Sequence, residues 1–179
     1  MERKDYLHNP THIFMDDTPY FITAAIYNKK ALLQDAKLKK LLLSCIQESF
    51  ARYQWELHHW VILDDHYHLL AKSQNGQDLT KIIREIHSVS GFYIKQATQV
   101  EQAIWWNYWD YCPRNENDYF THLNYLFNNP VKHHYVEDLA DYPFSSFHLY
   151  LEEQGREILL RQFKEHAGYK DLYANEDDF

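Results

Sequence analysis

The chain has 179 residues, 45% hydrophobic and 17% aromatic content, and a formal net charge of -8. That length suits one domain with a buried core, and the charge argues mildly against broad electrostatic capture of nucleic acid. No apolar run is long enough to span a bilayer, Met1-Glu2-Arg3-Lys4-Asp5 precedes no apolar signal segment, and Cys45 and Cys112 match no zinc or redox spacing. A cytoplasmic, reducing setting without a membrane partner is expected.

In chain order, Tyr20 to Tyr27 is β-branched and aromatic and reads as a first strand. Asp35 caps a helix with Leu38, Leu41, Leu42, Cys45 and Ile46 at helical spacing. Gln54 to Leu63 and His66 to Lys72 read as two paired strands around a tight Asp64-Asp65 turn. Asp78 caps a second helix with the stripe Leu79, Ile82, Ile83, Ile86 and Tyr93. Ala103 to Tyr111 predicts a fourth strand, and Asn115 or Asn117 caps a third helix that Pro130 ends. A turn at Tyr142-Pro143-Phe144-Ser145-Ser146, two short amphipathic helices and a frayed acidic tail follow. The order is β-α-β-β-α-β, the ferredoxin-like α+β pattern with an antiparallel sheet, here with C-terminal helices added. No repeat or linker divides residues 1–179, so a single domain is expected.

Charge is unevenly spread. From Glu137 to Phe179 there are 11 acidic and 4 basic residues, a net of -7, which leaves -1 for everything before. The acidity therefore sits away from the central segments. DNA affinity would have to rest on local patches and stacking.

Two constellations carry candidate chemistry. His66 and His68 flank Tyr67 on the third strand, so their side chains project from one sheet face, close enough to grip one metal ion. An isolated His-x-His is also often an ordinary core or surface pair, and this chain has 12 histidines. The apolar neighbours Leu63, Leu69 and Leu70 bury the strand around rings that then need partners, and Asp64 and Asp65 are candidates to orient them. Downstream, helical period places Tyr125 and Asn129 one turn apart on one face. A tyrosine on an amphipathic helix is usually core, and Asn before Pro is ordinary capping grammar, so this spacing alone leaves both explanations open.

The stretches Trp55 to Leu63, His66-Tyr67-His68-Leu69-Leu70, Trp105 to Asp110 and Asn124 to His133 resemble the REP-associated tyrosine transposases. These are relatives of the IS200/IS605 single-strand transposases among the HUH endonucleases. Tyr142 to Phe147 resembles the segment that follows in that family, and the similarity spans about residues 10–150. Residues 151–179 form a helical extension and acidic tail. The resemblance implies His66, His68 and Asn129 as ligands of Mg2+ or Mn2+, and Tyr125 as the nucleophile. Asp64-Asp65 departs from a Pro-Asn turn common before the first histidine, and Phe127-Asn128 departs from the usual pair before Asn129.

The implied reaction is cleavage and rejoining of single-stranded DNA through a 5′-phosphotyrosine link, at palindromes that fold into hairpins. Covalent storage of the phosphodiester lets strand transfer proceed without a nucleotide cofactor. Lys81, Arg84, Lys95, Arg114 and Lys132 are candidate phosphate contacts, and Trp105 and Trp106 candidate base-stacking residues; solvated charge and core packing are the plainer explanations. Two other classes stay open: a domesticated hairpin-binding module, and a metal-dependent hydrolase that uses water. The resemblance allows a monomer or a homodimer.

Overall fold

The computed structural model describes residue 12 and residues 14–172. Four strands, β1 (Pro19–Ile26), β2 (Glu56–Ile62), β3 (His66–Lys72) and β4 (Trp105–Tyr111), form one sheet in the order β2-β3-β1-β4. Every neighbouring pair is antiparallel. With α1 (Ala36–Arg52) and α2 (Leu79–Thr98) in the connections, this is the expected ferredoxin-like α+β core. Three further helices follow: α3 (Glu116–Lys132), α4 (Phe147–Gln154) and α5 (Arg156–Glu165). No helix among the described residues is long and apolar enough to cross a membrane.

Strand alternation divides the interior in two. Tyr20, Ile22, Ala24 and Ile26 of β1, with Tyr67, Leu69 and Ala71 of β3, meet the apolar stripes of α1 and α2. Phe21, Val61, Leu63 and Leu70 instead meet Leu123, Tyr125, Leu126 and Phe127 of α3. On its outer side α3 is held by α5, where Gln162 Nε2 donates to Asn124 Oδ1 at 2.7 Å. The sheet is thus buried on both faces, and α3 lies across the one that carries the paired histidines.

Several boundaries differ from the sequence expectation for local reasons. Gln54 adopts φ 58°, a left-handed turn that ends α1 and delays β2 until Glu56. Asp35 does cap α1, accepting from the Lys37 amide at 2.8 Å. The Asp78 side chain caps nothing; it accepts from Lys81 Nζ at 2.7 Å, while Asn75 caps the preceding turn through the Gln77 amide. Tyr93 is 45% exposed, and Ser90, Gly91 and Ile94 occupy the buried stripe beyond Ile86. Of the two candidate caps for α3, Asn115 accepts from the Asp118 amide at 2.9 Å, whereas Asn117 bonds His166 at 2.8 Å. Pro130 does not end α3. Proline removes only its own N–H, and the helix runs on to Lys132 before His134 turns left-handed at φ 60°.

The Tyr142 to Ser146 segment does more than turn the chain. The Ile62 amide donates to the Phe144 carbonyl at 2.9 Å and the Ser146 amide to the Trp60 carbonyl at 2.9 Å, so this segment lines the outer edge of β2. The acidic tail beyond Leu172 lies outside the described residues.

Candidate catalytic and metal-binding site

The site starts at the β2–β3 turn. The Leu63 amide bonds the His66 carbonyl at 2.9 Å, and the Asp64 and Asp65 carbonyls accept from Leu33 and Ile26 at 2.9 and 2.7 Å. The two acidic side chains then go different ways. Asp64 accepts from Lys39 Nζ at 2.6 Å. Lys39 is only 5% exposed and lies 5.1, 5.6 and 5.9 Å from the ring centres of Phe144, Tyr142 and Tyr135. An ammonium so enclosed needs the carboxylate partner it has. Asp65 turns toward the histidines and takes a 2.6 Å hydrogen bond from His66 Nδ1. Burial opposes ionisation of Asp65, but the His66 bond and the nearby His66 and His133 charges outweigh it and lower its pKa.

His66 and His68 point to the same face, with ring centres 5.1 Å apart, and both are buried. Antiparallel pairing sets Thr23 of β1 opposite His68, where the Thr23 hydroxyl meets His68 Nδ1 at 2.7 Å. Burial drives the His68 pKa well below the usual histidine range, with the charges of His66, His133 and Lys132 pushing the same way. From α3, Asn129 sets Oδ1 3.1 Å from His66 Nε2. His133, one further turn along, has its ring centre 5.1 Å from that of His66.

These donors fit a cation. In the neutral ring with its proton on Nδ1 toward Asp65, His66 Nε2 presents a lone pair beside the amide oxygen of Asn129, a second acceptor; the protonated ring would instead donate to that oxygen. Two atoms bound to one ion at about 2.1 Å and at right angles stand about 3 Å apart, which suits the 3.1 Å seen. His68 Nε2 and Asn129 Nδ2 are buried without a hydrogen-bond partner among the described residues. Orphaned polar atoms at this depth are rare and costly. No three His, Cys, Asp or Glu side chains cluster to hold a metal among the described residues, so a three-donor set needs the Asn129 amide.

Tyr125 is beside this group. Its ring centre is 5.5 Å from that of His68 at a steep 73° angle, and the residue is 3% exposed. Lys132 Nζ donates to the Tyr125 hydroxyl at 3.2 Å and lies 4.8 Å from the ring centre. Lys132, a candidate phosphate contact, is thus placed beside the phenol.

The other candidate DNA contacts separate into two groups. Arg84, Lys95, Trp105 and Trp106 line one cavity of about 620 Å³ between α2 and β4. Lys81 and Arg114 lie elsewhere and pair with local carboxylates, Asp78 at 2.7 Å and Asp118 at 3.2 Å. Thr23 carries no signal in the sequence as a site residue, because strand register decides which residue meets His68. His133 does carry one, its spacing of four from Asn129.

The family model for IS200-like transposases matches residues 16–114, from just before β1 to just beyond β4. His66 and His68 are inside that match; Tyr125 and Asn129 follow it. The chain belongs to the IS200-like transposase family, among its REP-associated tyrosine transposases. It is 32% identical over 133 residues to the REP-associated tyrosine transposase of Escherichia coli (strain K12), covering 72% of this chain and 76% of that protein. A solved structure of a REP-associated tyrosine transposase bound to a REP hairpin matches with a TM-score of 0.68 and 27% identity, over 79% of this chain and 84% of the other.

Proposed function

We propose that this protein cuts and rejoins single-stranded DNA at hairpin sites formed by REP-like palindromes, with Tyr125 as the nucleophile. The observation that carries this reading is the convergence of β3 and α3, which brings His66, His68 and Asn129 together with His68 Nε2 buried and unpartnered among the described residues and Tyr125 alongside. The REP hairpin held by the structural relative supports the substrate class.

The Tyr125 hydroxyl oxygen forms a bond to a backbone phosphorus while the phosphorus–O3′ bond breaks. The proton lost by the phenol balances the one gained by the departing 3′-oxygen. Attack by a DNA 3′-hydroxyl later reverses the link and joins strands. The Lys132 ammonium beside the phenol oxygen favours negative charge there, both as the bond forms and when tyrosine leaves. His66 Nε2, His68 Nε2 and Asn129 Oδ1 would hold Mg2+ or Mn2+, with Asp65 and Thr23 fixing the two rings. Such an ion polarises the scissile phosphate and neutralises developing charge.

The test is incubation of labelled single-stranded hairpins with the protein and Mn2+, followed by a denaturing gel. A protein–DNA adduct is expected for the parent and none for Tyr125→Phe, which keeps hairpin affinity within a few-fold. Cleavage without an adduct would overturn the tyrosine mechanism in favour of hydrolysis by water. Hairpin binding with no cleavage at all would make the protein a binding module.

A further inference from the structure

Lys39 occupies a position that helical spacing reserves for an apolar residue. It shares the buried stripe of α1 with Leu42 and Ile46, whereas Lys37 and Lys40 beside it are exposed. A lysine is seldom buried so fully unless something specific holds its ammonium. Here three separate segments meet around it. α1 supplies the side chain, the histidine turn supplies the Asp64 carboxylate at 2.6 Å, and the stretch after α3 supplies the rings of Tyr135, Tyr142 and Phe144.

Both halves of the proposed metal site hang from this junction by short lengths of chain. Asp64 stands two residues before His66. Tyr135 donates its amide to the carbonyl of Pro130, the residue after Asn129, at 2.9 Å, and its hydroxyl accepts from the Asp64 amide at 3.4 Å. Close by, the Tyr142 hydroxyl donates to the Ile62 carbonyl at 2.7 Å. The turn that carries His66 and the helix end that carries Asn129 are therefore clamped around one ammonium. Between them, His66 Nε2 and Asn129 Oδ1 are 3.1 Å apart. A gap that small changes with any slight rotation of either segment, and metal affinity depends on how outer groups orient the ligands.

Resting on the proposed metal site, we infer that Lys39 is a positioning residue: its ammonium pins the β2–β3 turn to the stretch after α3 and so sets the gap between His66 and Asn129. It acts through these segments and not by contact with the ion. Charge and geometry make opposite predictions here. A fixed cation repels a metal ion, so charge alone predicts tighter Mn2+ binding once Lys39 is removed. Loss of the clamp predicts weaker binding.

The experiment measures Mn2+ binding to the full-length protein by calorimetry. Lys39→Met should lower the affinity about tenfold, while Lys40→Met, which removes an exposed charge one residue along α1, should stay within twofold. Lys39→Met/Asp64→Asn removes both charges and leaves no carboxylate without its ammonium. It should keep a urea midpoint close to that of the parent and still show the tenfold loss, a combination that a purely structural role does not produce. In metal-free protein labelled at histidine nitrogens, the His66 ring signals should shift in both Lys39 variants and not in Lys40→Met. Affinity that is unchanged or higher in the Lys39 variants would overturn the inference, as would affinity that falls only in step with the urea midpoint. A parent that binds no Mn2+ would sink the proposed metal site itself; His66 signals that stay put in the Lys39 variants would overturn the role of Lys39 in either case.

Discussion

The two faces of the sheet use the same strands for different ends. On β3, Tyr67, Leu69 and Ala71 turn toward α1 and α2 and join an interior of isoleucine, leucine and aromatic rings. One step along the chain, His66 and His68 turn toward α3 and meet Thr23, Asn129 and Tyr125. Both faces are buried, yet His68 Nε2 and Asn129 Nδ2, the polar atoms left without hydrogen bonds among the described residues, are both on the α3 side. Alternation with a period of two gives β3 one wholly apolar side and one that mixes apolar packing with the polar groups of the proposed site. The α3 side accepts unsatisfied groups because the α1/α2 side supplies apolar burial, about 1.5–3 kcal/mol for each large side chain.

The sharpest way to break this comparison is to truncate neighbours. His66→Ala and His68→Ala should each sharply weaken Mn2+ binding by calorimetry, whereas Leu69→Ala should leave the metal site intact and cost about 2–5 kcal/mol of unfolding free energy. If the histidine variants bind Mn2+ like the parent, the assignment of chemistry to the α3 side is wrong. A smaller effect is expected from Asp65→Asn. It keeps the side-chain size but loses the charged acceptor that orients His66, so Mn2+ affinity should fall about tenfold with little change in melting temperature. Unchanged affinity would reduce Asp65 to a turn residue.

The smallest effect concerns acidity. Burial lowers the His87 pKa to about 3, and burial with the His58 charge lowers that of His59 to about 4. Below the ordinary histidine pKa near 6.5, the unfolded chain takes up protons that these folded-state rings do not. Stability is therefore full above about pH 6.5 and falls as pH drops toward 4 and then 3, by at most about 1.4 kcal/mol per pH unit for each ring. Urea midpoints measured from pH 7 to pH 4.5 should show that slope. His87 bonds Tyr67 on the apolar side, so His87→Gln should flatten the slope without altering Mn2+ binding. A parallel loss of metal affinity would mean that the two sides are coupled.

How much of this was legible beforehand follows the range of each signal. The strand order and the two crossover helices were written in local periodicity. His66 and His68 share a face by alternation alone, and Tyr125 and Asn129 by helical spacing. Which helix lies over which face was not written there, and neither was the antiparallel register that sets Thr23 against His68. The Asp64-Asp65 turn read as two interchangeable carboxylates. Only the fold separates them, one neutralised by a lysine from α1 and the other hydrogen-bonded to a histidine. The pairing of Lys132 with Tyr125 was not legible, because its position on α3 fits a solvent-facing cation as well as a partner to the phenol.

The strip from Phe144 to Ser146 has a consequence for how the molecule behaves in company. An outer strand offers a row of unpaired amides and carbonyls that invites another chain to add on. Along Trp60 to Ile62 that row is already occupied: the Ser146 hydroxyl accepts from the Trp60 amide at 2.9 Å, and Val61 bridges Ser145. Three residues after a proline thus act as a hem on the sheet, so zipper-like growth into aggregates has no purchase beside the histidine turn. At the far end of β2, where Glu56 is exposed, a charged side chain provides the deterrent.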